Sequence, residues 1–183
     1  IVDRGPNLQL SEKDVKGRES QLLYISGYSL YAEEPKRATE HSIRQAQKLG
    51  VPVAVDPSSL YHLRTEKFAL LFFLEGITLL FPNYGEGKFL TGEEEPRIIG
   101  VPHPVLKLGD KGCMLSVDGA IVHVPAPPIT SVDSTGAGDA FAGAFLAEYQ
   151  RTKNVLAAAK YATKVSTRVV ERLGAQPIPK LDP

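Results

Sequence analysis

The chain has 183 residues, of which 43% are hydrophobic, so it is long enough and apolar enough to form one globular domain over residues 1–183. Its 21 basic and 21 acidic side chains cancel and form no basic block, which argues against nucleic acids and membrane surfaces as partners. The single cysteine, Cys113, excludes an internal disulfide and fits a reducing cytoplasm, and the longest apolar run, 68–74, is far shorter than the roughly 20 residues that span a bilayer.

The first half of the chain alternates apolar strand patterns with helical patterns. In chain order, the predicted elements are a strand at 22–26, a helix at 35–49, a strand at 51–55, a helix at 66–74, a strand at 78–81 and a helix at 84–90. The polar turn Asp56-Pro57-Ser58 is predicted to end the second strand. Pro96 argues against a full helix between Gly92 and His103.

The second half begins with three predicted strands and ends with two predicted helices. The strands cover 105–108, 113–117 and 120–124, and the helices cover 137–149 and 155–172. Asp118-Gly119 is typical of a hairpin turn between the last two strands, and Asn154 is a good cap for the last helix.

Strands that alternate with helices predict an α/β fold of three layers, with a mostly parallel central sheet and helices on both of its faces. In open sheets of this kind, ligands bind at the carboxyl ends of the strands. Asn83, Gly109 and the loop at Gly136 are all predicted to lie there. We therefore expect the functional site at this edge.

The segment from Val132 to Gly143 places a polar, glycine-rich turn directly before a helix of small residues. Glycines let backbone N–H groups approach a ligand closely, and a helix N-terminus favours an anion such as phosphate. Asp139 would be repelled by that phosphate unless it acts on it, for example as a general base for a hydroxyl group. The alternative is structural: Asp133 or Ser134 caps the helix, and Asp139 complements its dipole.

Asn83 and Glu86 have the spacing of a capping box, in which each side chain accepts a hydrogen bond from the other residue's backbone N–H. The spacing alone favours this structural interpretation. A cap still leaves a carboxylate oxygen that can orient a metal-bound water, so a cap and a metal site are compatible.

Three segments resemble the ribokinase-like carbohydrate kinases, also called the PfkB family, in the order in which that family has them. The first is Leu80–Glu86 with Leu90-Thr91-Gly92, the second is Val105–Gly112, and the third, DSTGAGDAFAGAF at 133–145, is similar to the C-terminal signature nearly letter for letter. Gly174-Ala175 also ends the last helix as in family members. Together these segments cover most of the chain.

The resemblance implies phosphoryl transfer from ATP to the hydroxymethyl group of a sugar. Asp139 would accept the proton of the hydroxyl group, and the backbone N–H groups of Gly136, Ala137 and Gly138 would hold the transferring phosphoryl oxygens. Glu86 and Asn83 would position Mg²⁺, mostly through water.

The same resemblance assigns a nucleotide-binding set and a second cation site. The residues matched to the nucleotide are Lys107, Gly109, Asp110 and Gly112, with Ala162 and Thr163 near the adenine. Asp133 and Thr135 match the positions at which several family members bind a monovalent cation such as K⁺.

The acceptor cannot be assigned from these residues, because family members differ in an N-terminal part with a small β-sheet lid that no segment of this chain resembles. A sugar is the leading candidate, followed by a nucleoside such as adenosine and then a vitamin-type alcohol, while a non-catalytic ligand-binding relative is the alternative from another class. We therefore interpret the chain as the C-terminal part of a longer kinase, a nucleotide-binding core expected to bind ATP with Mg²⁺ weakly and to be inactive alone. The full-length protein could form a homodimer.

Overall fold

The computed structural model describes residues 8–15, 20–30, 32–61, 63–64, 75–92 and 101–176. Contacts divide the chain into two compact units, Ile1–Pro104 and Val105–Pro183. Six strands are hydrogen-bonded in sequence order, β1-β2-β3-β4-β5-β6, and the boundary between the units falls within β4. The interpretation of the chain as one domain stays a prediction.

The first unit contains the parallel part of the sheet. Strands β1 (Leu23–Ser26), β2 (Val53–Asp56), β3 (Leu79–Leu80) and the start of β4 (His103–Lys107) pair in parallel. All four residues of β2 are buried, as expected for an apolar strand inside a parallel sheet. Helix α1 (Glu33–Lys48) packs on β1 and β2 through small and aliphatic side chains, which are Ala38, Ile43 and Ala46. Helix α2 (Tyr84–Thr91) follows β3.

The second unit contains the antiparallel part of the sheet. The end of β4 pairs with β5 (Cys113–Val117), which pairs with β6 (Ala120–Val124) through the predicted Asp118-Gly119 turn. Both turn residues have positive φ, 49° and 80°, as a two-residue hairpin of this type requires. Helices α3 (Ala137–Thr152) and α4 (Val155–Val169) pack against each other, and α4 also contacts β5 and β6.

The predicted α/β fold with a mostly parallel sheet is confirmed, and the errors lie at element ends. Strand β2 begins at Val53 rather than at 51, because Pro52 has no N–H to donate to a neighbouring strand. Strand β4 begins two residues before the predicted start, since the N–H of His103 already bonds the Thr78 carbonyl at 3.0 Å. Helix α4 ends at Val169 instead of 172.

Two further expectations lie outside the described residues. They are the helix at 66–74 and most of the connection between Gly92 and His103. Within the part of the chain that the structure describes, no helix is both long enough and apolar enough to cross a bilayer.

Candidate active site

Asn83 and Glu86 form the predicted capping box at the start of α2. Asn83 Oδ1 accepts from the Glu86 N–H at 2.9 Å, and Glu86 Oε2 accepts from the Asn83 N–H at 2.8 Å. The Glu86 side chain is almost fully buried, at 1% exposure. The cap therefore fixes the carboxylate in one orientation just beyond the carboxyl end of β3.

Asp56 is a second buried carboxylate in the first unit, and sequence reasoning treated it only as a turn residue. It is 3% exposed and ends β2, the strand that pairs in parallel with β3. Its Oδ1 accepts from the Ser58 N–H at 2.9 Å, and the Ser58 hydroxyl accepts from the Gly27 N–H at 3.1 Å. An acidic residue at the carboxyl end of an otherwise apolar strand was the signal that could have identified it.

The donor chemistry of Glu86 fits a magnesium ion held mainly by water and phosphate. Mg²⁺ usually keeps several waters and takes only one or two protein carboxylates when it is bound together with a nucleotide. Among the described ranges, no group of three or more His, Cys, Asp or Glu side chains is placed to hold a metal ion. The described residues therefore build no closed all-protein cage for a metal ion.

The anion loop, defined here as residues 133–138, lies in the second unit and leads into α3. Gly136 is the N-cap of α3 with φ 79°, and among the described residues no side-chain cap hydrogen bond forms at this helix start. The proposed cap by Asp133 or Ser134 is therefore wrong. Asp139 is exposed in the first helical turn, where backbone N–H groups point out of the helix end.

Within this loop the Ala137 N–H already donates to the Ser134 carbonyl at 3.1 Å. It could serve a phosphoryl oxygen only as a shared donor. Gly136 and Gly138, on either side of it, carry no side chains, which allows their backbone to be approached closely by neighbouring groups.

Lys107 brings a positive charge to the start of α3. A Cβ added at Gly138 would lie 3.4 Å from Lys107 Nζ, so the ammonium group approaches the glycine backbone closely. Lys107 is the last residue of β4. The end of β4 thus places an ammonium group beside the N-terminus of α3. Both the ammonium group and the helix N-terminus attract an anion.

Both oxygens of the Asp133 carboxylate accept hydrogen bonds. Its Oδ1 accepts from the N–H and the hydroxyl of Thr135, at 2.9 and 2.7 Å, and its Oδ2 accepts from the Gly174 N–H at 2.8 Å. The pKa of Asp133 is lowered, first by the Thr135 hydroxyl, then by the Thr135 N–H and the Gly174 N–H. Sequence reasoning noticed Gly174-Ala175 only as the end of a helix and missed this contact.

The turn between β4 and β5 holds Gly109, Asp110 and Gly112. Gly109 and Gly112 have φ of 63° and 91°, and a Cβ at Gly112 would lie 2.0 Å from the Val124 carbonyl oxygen. Only glycine fits at position 112. A cavity of about 410 Å³ beside this turn is lined by Leu108, Asp110, Lys111, Met114, His123, Pro125 and Ala126.

Ala162 and Thr163 belong to α4, the helix that contacts β5. Both are buried, and the Thr163 hydroxyl donates to the Ala159 carbonyl at 2.8 Å and lies 3.6 Å from Cys113 Sγ. Burial raises the pKa of the Cys113 thiol to about 11, against an opposing hydrogen bond with Thr163. Cys113 is therefore protonated at neutral pH and unsuited to act as a nucleophile.

Three relatives illustrate what the chain is similar to. Ribokinase of Haemophilus influenzae is 27% identical, and the match covers 96% of this chain but only 60% of that protein. A crystal structure from E. coli, assigned as Ribokinase II in complex with ATP and Mg²⁺, is 27% identical with a TM-score of 0.82, over 91% of this chain and 58% of that one. Adenosine kinase from Sinorhizobium meliloti has the same fold, with a TM-score of 0.87 at 22% identity, over 94% and 56% of the two chains.

The match to the family is far longer than any single motif. The profile described as pfkB family carbohydrate kinase matches residues 1–181 of this chain. That range includes the capping box, the turn after β4, the anion loop and the turn after α4. The chain therefore belongs to the pfkB family of carbohydrate kinases.

Proposed function

We propose that the protein transfers the γ-phosphate of ATP to a hydroxymethyl group of a sugar. The observation that carries this proposal is the start of α3, where Gly136 turns the backbone, Asp139 is exposed, and the Lys107 ammonium group approaches Gly138. A pure binding protein would gain nothing from a carboxylate at a phosphate site, because it would repel the ligand. The kinase names of the relatives support the same reaction class.

In this mechanism the acceptor hydroxyl attacks the γ-phosphorus and passes its proton to the Asp139 carboxylate. A new oxygen–phosphorus bond forms as the bond to the leaving ADP breaks, and a base of modest strength suffices for a loose transition state. The amides of Gly136 and Gly138, with the shared Ala137 amide, stabilise the charge on the phosphoryl oxygens. Lys107 adds a positive charge beside Gly138, close to these amides.

In the proposal, Glu86 and Asn83 would hold Mg²⁺, mostly through water. A magnesium ion held by them would supply positive charge to the phosphates of the nucleotide. Gly109, Asp110 and Gly112 line the nucleotide, and Ala162 and Thr163 support the adenine side from within the core. K⁺ binding at Asp133 and Thr135, a cytoplasmic location and a homodimer are secondary parts of the same proposal.

Glu86→Gln separates the structural role of this residue from its role with magnesium. Glutamine also completes a capping box, so we expect the melting temperature of the full-length protein to change little. The loss of negative charge should raise the Mg²⁺ concentration needed for half-maximal activity by about tenfold, which is the scale of one weakened metal contact. Glu86→Ala is the matched control and should also lower the melting temperature. If the Mg²⁺ dependence of Glu86→Gln were unchanged, helix capping would be the only role left for Glu86.

The proposed reaction is tested by a phosphorylation screen of the full-length protein with ATP and Mg²⁺ over sugars and nucleosides. We expect a sugar phosphorylated at its hydroxymethyl group to be the best product, identified by mass and by phosphorus–carbon coupling in NMR spectra. If a nucleoside were the best acceptor, the proposed substrate would be wrong but the proposed phosphoryl transfer would stand. Ligand binding without turnover of any acceptor would favour the non-catalytic alternative.

A further inference from the structure

We infer that Asp133 is a positioning residue that clamps the anion loop to the turn after α4, defined as residues 170–176, and thereby sets the loop's phosphoryl-binding shape. The inference rests on the proposed function for its catalytic consequence. Its structural part stands on contacts within the second unit alone. It gives the Asp133 side chain a role that does not depend on a bound cation.

The first element of the clamp is the Asp133 carboxylate itself. One oxygen bonds both polar groups of Thr135, two residues later, and the other bonds the Gly174 N–H, 41 residues later in the chain. A single side chain thus shapes the loop locally and joins it to a distant segment. Hydrogen bonds to an ionised acceptor are about twice as strong as those between neutral groups.

The second element is the backbone that enters the loop. The N–H groups of Val132 and Asp133 both donate to the Val170 carbonyl, at 2.8 and 3.2 Å. The loop is therefore attached to the turn after α4 through main chain as well as side chain. A carbonyl at a helix C-terminus has no partner within its helix, so this contact also satisfies the end of α4.

The third element is a steric contact at Gly136. A Cβ added there would lie 2.6 Å from the Ala175 Cβ, so the turn after α4 lies directly against the residue that starts α3. The three elements therefore act at Val132, just before the loop, and at Asp133 and Gly136 within it. The amides proposed to hold the phosphoryl group are those of Gly136 and of the two residues that follow it.

A loosened clamp should affect catalysis more than nucleotide affinity. Asp133 itself lies before the proposed phosphoryl-binding amides, and its removal leaves the turn between β4 and β5 untouched. A displacement of about 1 Å at a reacting group can cost on the order of 100-fold in rate. We therefore expect a loss in kcat with little change in KM for ATP.

The test uses Asp133→Asn in the full-length protein, because the amide keeps the shape but has only one oxygen for three donors. We expect kcat to fall about 100-fold, KM for ATP to stay within about threefold, and the loss to persist at saturating K⁺. Thr135→Val should lower kcat about tenfold, which is the scale of one hydrogen bond to a charged group. Thr135→Ser retains the hydroxyl group and should therefore keep most of the wild-type kcat. Asp118→Asn, at the exposed hairpin with positive φ, is the matched control and should behave as wild type.

Hydrogen exchange supplies a readout that needs no activity. In Asp133→Asn, peptides covering 132–138 and 170–176 should exchange faster together, while peptides of α1 stay unchanged. Faster exchange in the anion loop alone, restoration of Asp133→Asn by K⁺, or an unchanged kcat would each overturn the inference. An inactive wild-type protein with the paired exchange effect would instead refute the proposed function and leave the clamp standing.

Discussion

Asp139→Asn in the full-length protein should lower kcat by about 10²–10⁴-fold, the usual contribution of a positioned general base. The amide has nearly the shape of the carboxylate but cannot accept the acceptor's proton at neutral pH. Because Asp139 is exposed in the first turn of α3 and no side-chain cap depends on it, the fold should not change. Steady-state kinetics and calorimetric titration of an ATP analogue measure the two effects separately.

Nucleotide affinity should stay within a fewfold of wild type in this variant, or rise slightly, since a negative charge beside the phosphates has been removed. Asp118→Asn, on the β5–β6 hairpin, controls for the chemical change itself. Turnover by Asp139→Asn within about tenfold of wild type would mean that another group is the base.

Gly136→Ala should have the second large effect, because it acts on both the backbone and the contact with the turn after α4. Alanine at a left-handed φ of 79° costs about 1–2 kcal/mol, and its Cβ would lie 2.6 Å from the Ala175 Cβ. We expect a clear drop in melting temperature and a loss of kcat on the order of 100-fold, as the amides before Asp139 move. Thermal unfolding and kinetics of the full-length protein measure both.

The same substitution at Gly143, seven residues later, is the matched control. Gly143 lies inside α3, and apart from the backbone of its own helix no atom of the described part of the chain lies within 4 Å of a Cβ added there. Gly143→Ala should therefore stabilise the protein by about 0.5–1 kcal/mol without loss of activity, because alanine is the better helix former. Equal effects of the two substitutions would refute the special role of position 136.

Local signals explain what the sequence predicted well. Asp118-Gly119 placed the β5–β6 hairpin at its correct residues, and the Asn154 side chain caps α4 by accepting from the Ala157 N–H at 2.9 Å. The capping box at Asn83 and Glu86 was also correct, since its partners are three residues apart. In each case the partners are close in sequence, so spacing contains the information.

Long-range contacts explain what the sequence did not predict. The Gly174 partner of Asp133 is 41 residues away, and nothing in the spacing indicates that the two meet. The burial of Asp56 likewise depends on the neighbouring strands of the sheet, whereas the Asp56-Pro57-Ser58 pattern by itself predicts only a turn. The glycines and the family resemblance predict an anion-binding role for residues 133–138, and the hydrogen bonds that join this loop to the turn after α4 are seen only in the structure.

The central claim is that the anion loop holds the transferring phosphoryl group and that Asp139 faces the acceptor. It is tested most directly by a crystal structure of the full-length protein with a non-hydrolysable ATP analogue, Mg²⁺ and its sugar. We expect the γ-phosphate oxygens within about 3 Å of the Gly136 and Gly138 amides and the acceptor hydroxyl within about 3 Å of the Asp139 carboxylate. A γ-phosphate bound away from the start of α3, or an acceptor hydroxyl out of reach of Asp139, would contradict the account.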